Sequence, residues 1–304
     1  MSALTLVVQE SPLHAMKPLE SLIGLAAKRT RTQALVALES LKDLFSQGMI
    51  LPSDRKLRIF AKQPGLLAAF QNVKPTWTAQ EPLPKQLTNN HLMMWAYEDW
   101  LKKQYFEILK VLETWCGDEV EFTKLRAVTF VWEMLKEKPE QEENLLRLLV
   151  NKLGDTDRKV ASRASYLLLQ LMNTHPSMKL IILNTVESDI LLRSGQSSHA
   201  KYYAIITLNQ TILQTSDPDV ANKLLDIYFS LFVTSLNRSR QTKPVEPTTE
   251  DKAPEEQSKK RKRSSGINGD VNKSEQELED KIIAQVLTGA VSYTHLTLPT
   301  KRIV

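Results

Sequence analysis

Hydrophobic and polar positions recur with a helical period over residues 139–236, and the whole pattern then repeats. The clearest stretch lies between residues 155 and 171, where apolar side chains are three or four positions apart and so share one helix face. Polar side chains at Lys159, Arg163, Tyr166 and Gln170 form the opposite stripe. The spacing predicts an amphipathic helix whose buried side consists of Val160, Ala161, Ala164, Leu167, Leu168 and Leu171.

Residues typical of helix starts and helix ends indicate that this helix is the second of two paired helices. Pro139 and the glutamates that follow it favour the start of a first helix, and Lys152 with Gly154 favours its end. Asp155 is typical of an N-cap for the second helix, which His175-Pro176 ends. The sequence therefore predicts a helical hairpin over these residues.

The hairpin pattern then occurs again. A helix opens near Ser177, a turn lies around Gly195, and Asp217-Pro218 starts a third unit. The starts are roughly 40 residues apart, which is the period of HEAT and armadillo repeats, and one hairpin cannot bury its apolar face alone. We therefore predict an all-α, HEAT/armadillo-like solenoid over residues 1–236. The predicted buried side of the helix after Gly195 comprises Tyr203, Ile205, Ile206, Leu208, Ile212 and Leu213.

The N-terminal part is also predicted to be helical, with less regular spacing. Residues 71–90 are broken by prolines and are predicted to form a loop. The predicted helices are Pro18–Ala27, Thr32–Phe45, one capped by Ser53-Asp54 that runs through Phe60, an aromatic-rich one from Asn89 or Asn90 to Trp115, and Phe122–Lys136.

The composition changes sharply towards the C-terminus. Residues 237–274 are rich in Lys, Glu, Pro, Thr and Ser with few large apolar side chains, which predicts a disordered charged linker. Residues 275–291 resume a helical pattern. Residues 292–304 show a β-branched alternation unlike the rest of the chain, and we interpret them as a non-native tail resembling translated sequencing-adapter DNA; a native β-tail is the alternative.

Composition and charge narrow the function classes. Only nine glycines among 304 residues argue against a sheet-rich or nucleotide-loop protein. The net charge of +5 permits an acidic partner without identifying it. Cys116 is the single cysteine, so an intrachain disulfide is excluded and a small buried hydrophobe is the expected role. Neither a secretory signal nor a membrane-spanning run is predicted.

Catalytic and metal-binding motifs are absent from the sequence. No P-loop, dinucleotide-binding, zinc-protease or paired C-x-x-C pattern occurs, so we predict no catalytic residue, no cofactor and no enzymatic activity. Asp155-Thr156-Asp157 has the form of a metal-binding triplet, but its place between two helices favours helix capping. We therefore predict no metal site.

Two groups of basic residues are candidate interaction sites. Arg147, Lys152, Arg158, Lys159 and Arg163 are predicted to form a patch that meets RNA phosphates, and the alternative is an ordinary solvated face with mixed charges. The second group is a run of five cations, which suits capture by a nuclear import receptor or loose nucleic-acid binding. It comprises Lys259, Lys260, Arg261, Lys262 and Arg263.

Three long stretches of the sequence carry a resemblance to a known family: residues 136–179, HAKYYAIITLNQ at 199–210 and LLDIYFSLF at 224–232. They resemble the CCAAT-binding-factor family of nucleolar complex proteins. The similarity extends to SALTLVVQESPLH, LKDLF and LPSDRKLRIF in the first 60 residues, and LTGA at 287–290 resembles the start of the next conserved block. The resemblance implies that the chain is a fragment of a longer protein.

The resemblance, rather than the helical pattern, implies a function. Members of the family act as helical scaffolds in nucleolar assembly of the large ribosomal subunit, paired with a second nucleolar complex protein on precursor ribosomal RNA. A nuclear and nucleolar location and no membrane partner are therefore expected. The alternative is a transcriptional regulator that acts through CCAAT-containing promoters. A third possibility, a solenoid similar to transport receptors, stays open at this point.

Overall fold

All regular structure in the described part of the chain is helical, as predicted. The computed structural model describes residues 2–47, 50–70, 87–214, 217–241 and 266–297. The chain divides after Lys152 into two compact units. The first contains α1 (Ser2–Glu10), α2 (Met16–Ala26), α3 (Arg31–Ser46), α4 (Pro64–Phe70), α5 (Asn89–Cys116), α6 (Glu121–Glu137) and α7 (Glu142–Asn151). The second contains α8 (Arg158–Thr174), α9 (Lys179–Val186), α10 (Ser198–Asn209), α11 (Pro218–Gln241) and α12 (Gly266–Thr297).

The first unit is organised around α5, which packs against α2, α6 and α7. Large side chains fill the core of this unit, where the Phe45 ring of α3 and the Tyr105 ring of α5 lie 5.3 Å apart. Tyr105 is fully buried, and this desolvation raises its pKa because it disfavours the charged phenolate. Cys116 is also buried, as expected for a small apolar side chain.

The helix predicted from Ser53 to Phe60 is wrong. This segment is irregular, and a short 3-10 turn begins only at Phe60. Its backbone N–H groups donate to distant carboxylates instead of to a local helix: Leu57 to Glu140 at 2.6 Å, Arg58 to Glu98 at 2.8 Å and Phe60 to Asp99 at 3.3 Å. Side-chain acceptors from other elements therefore replace the helical hydrogen bonds that the sequence pattern suggested.

Two predicted helix starts in this unit are displaced. The Thr88 hydroxyl, rather than an asparagine, caps α5 by accepting the His91 N–H at 3.4 Å. The helix predicted to start at Pro139 begins at Glu142, because Gln141 adopts a left-handed conformation with φ of 54° that interrupts the turn.

Helices in the second unit contact their alternate neighbours along the chain. α8 packs on α10, α9 on α11 and α10 on α12. The hydroxyls of Ser165 and Thr207 lie 2.7 Å apart where α8 meets α10. Lys179 is buried at the start of α9, and its ammonium group donates to the Asp217 carboxylate at 2.6 Å just before α11. This ion pair fixes the start of the third predicted hairpin at Asp217-Pro218, where α11 does begin.

The start of α8 differs from the sequence-based prediction. Asp157, not Asp155, precedes the helix, and the Asp155 carboxylate accepts the Asp157 N–H at 3.0 Å. Gly195 lies in the predicted turn and has a positive φ of 84°, whereas Gly154, at the helix end, is not among the positive-φ glycines and serves a different purpose. A Cβ at Gly154 would come 3.1 Å from the Ala200 Cβ, so the glycine permits the close approach of α10.

Ile212 is not part of the buried side predicted for α10. The helix ends at Asn209, and the Ile212 side chain is 62% exposed. Buried positions on this helix are instead supplied by the small and apolar residues Ala200, Ala204, Ile205, Thr207 and Leu208.

Helical structure extends into both ends of the predicted linker. α11 continues through Gln241, and the next proline in the sequence is Pro244. α12 already begins at Gly266, and residues 242–265 lie outside the described residues. Residues 237–241 and 266–274 at the two ends of the predicted linker are thus helical, and the disordered linker itself stays a prediction.

The β-branched alternation after Ser292 does not form a strand in its described part. α12 runs to Thr297, two residues before Pro299. Tyr293 is buried, its ring stacks on Tyr228 at 6.0 Å, and its hydroxyl lies 2.9 Å from the Leu208 carbonyl oxygen. Packing therefore overrides the weak helix propensity of these residues. The non-native origin of residues 292–304 stays a prediction.

Candidate nucleic-acid interface

α8 carries the basic stripe that the sequence predicted, and its orientation follows from the opposite face. Leu167, Leu168 and Leu171 are essentially inaccessible, so burial of the apolar stripe fixes which side of the helix faces solvent. Arg158 and Lys159 are exposed on the outward side, and Arg163 is half-buried. The predicted amphipathic helix is thus confirmed, together with the surface position of its polar stripe.

Tyr166 lies within this stripe and is held by two neighbours. The Arg163 guanidinium sits 5.6 Å from the centroid of the Tyr166 ring, in a cation–π arrangement. The Gln170 amide nitrogen donates to the Tyr166 hydroxyl at 2.6 Å. The tyrosine nevertheless remains 50% exposed. The outward side of α8 therefore combines cations with an orientated aromatic ring.

The electrostatics of the stripe favour an anion at its N-terminal end. Arg158 and Lys159 occupy the first turn of α8, where the helix dipole is positive and cations are disfavoured. Asp155 and Asp157 lie just before this turn and partly balance the charge. A phosphate bound beside the two cations would be stabilised by their charge and by the dipole.

Arg147 and Lys152 lie in the first unit, whereas the other three predicted patch residues lie in the second. Arg147 is exposed on α7. The Lys152 ammonium donates to the carbonyl oxygen of Cys116, the last residue of α5. Lys152 therefore already interacts with the C-terminus of α5, a position where a cation is favourable.

The second predicted basic group, Lys259 to Arg263, lies outside the described residues. Its assignment as a nuclear-localisation segment therefore stays a prediction.

The aromatic residues of α5 divide between the core and the surface. Tyr105 and Trp115 are buried, but Phe106 is exposed. At the start of α5, His91 is exposed and Trp95 is half-buried. His91, Met94, Trp95 and Glu98 recur at helical spacing and line a groove, which their shared face could have indicated.

Among the residues that the structure describes, no group of three His, Cys, Asp or Glu side chains is placed to hold a metal ion. Within the same residues, no helix has both the length and the apolar character needed to cross a lipid bilayer. The Asp155-Thr156-Asp157 triplet contains one local carboxylate-to-backbone hydrogen bond of the kind expected before a helix.

Comparison with known proteins gives relatives across most of the chain. The chain is 53% identical over 95% of its length to Ribosome biogenesis protein NOC1 of Chaetomium thermophilum. It is 38% identical over 78% of its length to human CCAAT/enhancer-binding protein zeta, and 31% identical over 75% to Nucleolar complex protein 1 of Drosophila melanogaster. No family model matches the chain.

The chain spans only part of these relatives. It covers 27% of the Chaetomium protein, 22% of the human protein and 18% of the Drosophila protein. The resemblance recognised in residues 136–232 thus agrees with relatives that carry both the nucleolar-complex and the CCAAT-binding names. The chain belongs to the CCAAT-binding-factor family of nucleolar complex proteins.

Proposed function

We propose that this chain is part of a non-enzymatic scaffold for nucleolar assembly of the large ribosomal subunit. The observation that carries the proposal is the 53% identity, over 95% of the chain, to a protein named for ribosome biogenesis. The name of the Drosophila relative supports membership of a nucleolar complex and hence a nuclear, nucleolar location. A scaffold of this kind acts by holding other molecules, without chemical steps of its own.

The scaffold is proposed to be a HEAT-like solenoid. Support comes from the helices of the second unit that begin at 179 and 218 and from the contacts between alternate helices in that unit. Stacked hairpins form a frame whose outward faces keep fixed positions. Individually weak contacts along such a frame add up, because the frame loses little conformational freedom when a partner binds.

Precursor ribosomal RNA is the proposed ligand of the basic stripe on α8. Lys159 and Arg163 can approach phosphates, and Tyr166 offers a ring on which an unpaired base can stack. Contacts to the RNA backbone carry no sequence information by themselves. The stripe is therefore proposed to contribute affinity, while RNA shape decides where the scaffold binds.

A second nucleolar complex protein is the proposed protein partner, and an import receptor is the proposed partner of residues 259–263. The name of the Drosophila relative supports the first proposal. The density of cations in the segment supports the second. A fluorescent reporter fused to residues 250–270 tests import, because its retention in the cytoplasm would contradict the proposed role.

A transcriptional regulator that acts through CCAAT-containing promoters is the alternative function. The specific observation in its favour is the name of the human relative. Direct duplex reading would place a helix in the DNA major groove with several side chains at base edges. The α8 stripe has cations and one aromatic ring, which suits backbone contact better than base reading.

Crosslinking in cells distinguishes the two functions. The tagged chain is purified after crosslinking, and the bound RNA, DNA and proteins are identified. We expect precursor RNA of the large subunit together with a second nucleolar complex protein. Recovery of promoter DNA without ribosomal precursor would reject the scaffold and favour the regulator.

A charge-reversal pair tests the α8 stripe directly. Lys159→Glu with Arg163→Glu should weaken binding to all RNA sequences alike and lower the slope of log affinity against log salt by about 1.4 to 1.8, for two lost phosphate contacts. Lys28→Glu with Arg29→Glu is the matched control, because both side chains are exposed after α2 and the charge change is identical. An unchanged slope in the α8 variant would remove the stripe from the interface.

A further inference from the structure

The first unit contains a groove that the proposed function does not involve. It lies where the irregular segment before α4 crosses the first turns of α5, and its volume is about 540 Å³. Pockets that hold small ligands usually fall between roughly 300 and 1,000 Å³. The groove is thus large enough for one planar ring system and the group attached to it.

The walls of this groove are held by hydrogen bonds to one carboxylate. Glu98 accepts from the Arg55 guanidinium, from the Arg58 backbone N–H at 2.8 Å and from the Gln63 amide at 2.9 Å. Burial opposes ionisation of Glu98, but these donors outweigh it and lower its pKa. Glu98 is therefore an occupied acceptor that fixes the position of the segment from Arg55 to Gln63.

One wall of the groove is a stacked pair of rings. The His91 and Trp95 rings are 5.9 Å apart with an angle of 19° between their planes. Trp95 is held from behind by Gly65, because a Cβ at that position would lie 2.8 Å from the indole Cζ2 atom. The pair thus gives the groove a flat aromatic surface whose position is set by the backbone of α4.

The charge of the groove is positive. Arg55 and Arg58 are set against the single carboxylate of Glu98 among the lining side chains. Arg58 is exposed, and so is Lys62 on the adjacent 3-10 turn. Neither has a carboxylate partner within the residues that the structure describes. Arg58 lines the groove, so its guanidinium can meet an anion bound there, and Lys62 adds positive charge on the adjacent turn.

We propose that this groove binds an unpaired nucleotide of single-stranded RNA, with the base against His91 and Trp95 and the adjoining phosphate beside Arg58 and Lys62. Aromatic faces next to cations are the combination with which proteins hold unpaired bases and their backbone. The inference rests on the proposed RNA-binding function and adds a second contact in the first unit, which would select single-stranded over paired regions.

Fluorescence anisotropy with the full chain tests this inference. The probe is a labelled single-stranded RNA of about ten nucleotides, which lies within the usual site size. His91→Ala and Trp95→Ala should each weaken its binding by roughly 5- to 140-fold, the range expected for loss of base stacking. Arg58→Glu should also weaken it, with a smaller salt slope. His91 and Arg58 are exposed, so these two variants keep the test independent of folding.

Two controls separate stacking from general charge. Lys28→Glu changes charge as Arg58→Glu does, at an exposed site after α2, and should leave binding of the oligonucleotide nearly unchanged. An abasic strand of the same length keeps the phosphates but lacks the bases, so wild type and His91→Ala should bind it equally. A loss of affinity for the abasic strand in His91→Ala would overturn the proposed stacking.

The remaining outcomes distinguish this inference from the proposed function. Wild-type affinity in the groove variants, with lost affinity in the α8 variant, would reject the groove and retain RNA binding by the scaffold. Wild-type affinity in both sets would reject both proposed contact sites, whereas no measurable binding of RNA by the wild-type chain would reject RNA binding itself. Tight binding of an acidic aromatic peptide, with no measurable binding of the single strand, would show that the groove recognises protein instead.

Discussion

The buried ion pair between Lys102 and Glu140 should be the strongest single contact that holds the irregular segment on α5. The Glu140 carboxylate is 2% exposed; it accepts from the Lys102 ammonium at 2.8 Å and from the Leu57 N–H at 2.6 Å. Lys102 also donates to the Leu57 carbonyl oxygen at 2.9 Å. The ion pair therefore satisfies both the N–H and the carbonyl group of Leu57, whose backbone makes no helical hydrogen bonds.

Glu140→Gln keeps the size of the side chain and removes the charge. Loss of one partner from a buried ion pair costs about 3 to 5 kcal/mol. Lys102 is 24% exposed and can recover some hydration, so we expect a smaller destabilisation of about 2 to 4 kcal/mol. Lys102→Met with Glu140→Gln should cost less than the sum of the two single changes, because no charge is left unpaired.

Tryptophan fluorescence during urea unfolding measures this effect in the first unit alone. All five tryptophans, at positions 77, 95, 100, 115 and 132, precede residue 153. Lys103→Met is the matched control, because Lys103 is an exposed neighbour in an ion pair with Asp99. Exposed pairs contribute about 0.2 to 1 kcal/mol. A Glu140→Gln cost no larger than that of the control would refute the role assigned to the buried pair.

Three further predictions concern packing and pH. Leu168→Asp places an unpaired charge at a fully buried site on α8 and should unfold the second unit locally, at a cost of several kcal/mol; unchanged circular dichroism and melting would contradict the assigned face. Gly65→Ala should displace the indole of Trp95 and shift its emission, whereas an unaltered spectrum would show that the contact yields easily. The pKa of Glu98 is lowered because its donors outweigh burial, and that of Asp118 chiefly by the Arg31 hydrogen bond. The stabilisation that these two ionised carboxylates provide is present above the ordinary carboxyl pKa of about 4 and is lost as the pH falls through their lowered pKa values. The urea midpoint should therefore drop in acid. An equal urea midpoint at pH 7 and pH 3 would exclude a contribution of these carboxylates to stability.

Local periodicity was sufficient for much of the helical structure. The apolar stripe around Leu168 correctly indicated the buried face of α8, and the breaks at His175-Pro176 and Asp217-Pro218 agree with helix boundaries. These features depend on residues within one or two helical turns of each other, so they can be predicted without knowledge of the tertiary structure. The solvent-facing basic stripe was predictable for the same reason.

Contacts between residues far apart in the sequence determined the parts of the structure that local periodicity did not predict. The segment around Leu57 is not helical because acceptors on Glu98, Asp99 and Glu140, about 40 to 80 positions away, take its N–H groups. Such partners cannot be inferred from a local pattern, so the wall that this segment gives to the groove beside Trp95 could not be predicted, although the face of α5 that forms the other wall could.

The sequence by itself determined an all-helical chain, the outward side of α8 and membership of a family, because periodicity and similarity are properties of the order of residues. Only the tertiary structure decided that Lys152 interacts with the carbonyl end of α5 and that Gly154 admits α10. It also decided that Tyr293 is buried against Tyr228 in a segment whose alternation suggested a strand. The reason in each case is that a side chain's role depends on the neighbours that the fold brings to it.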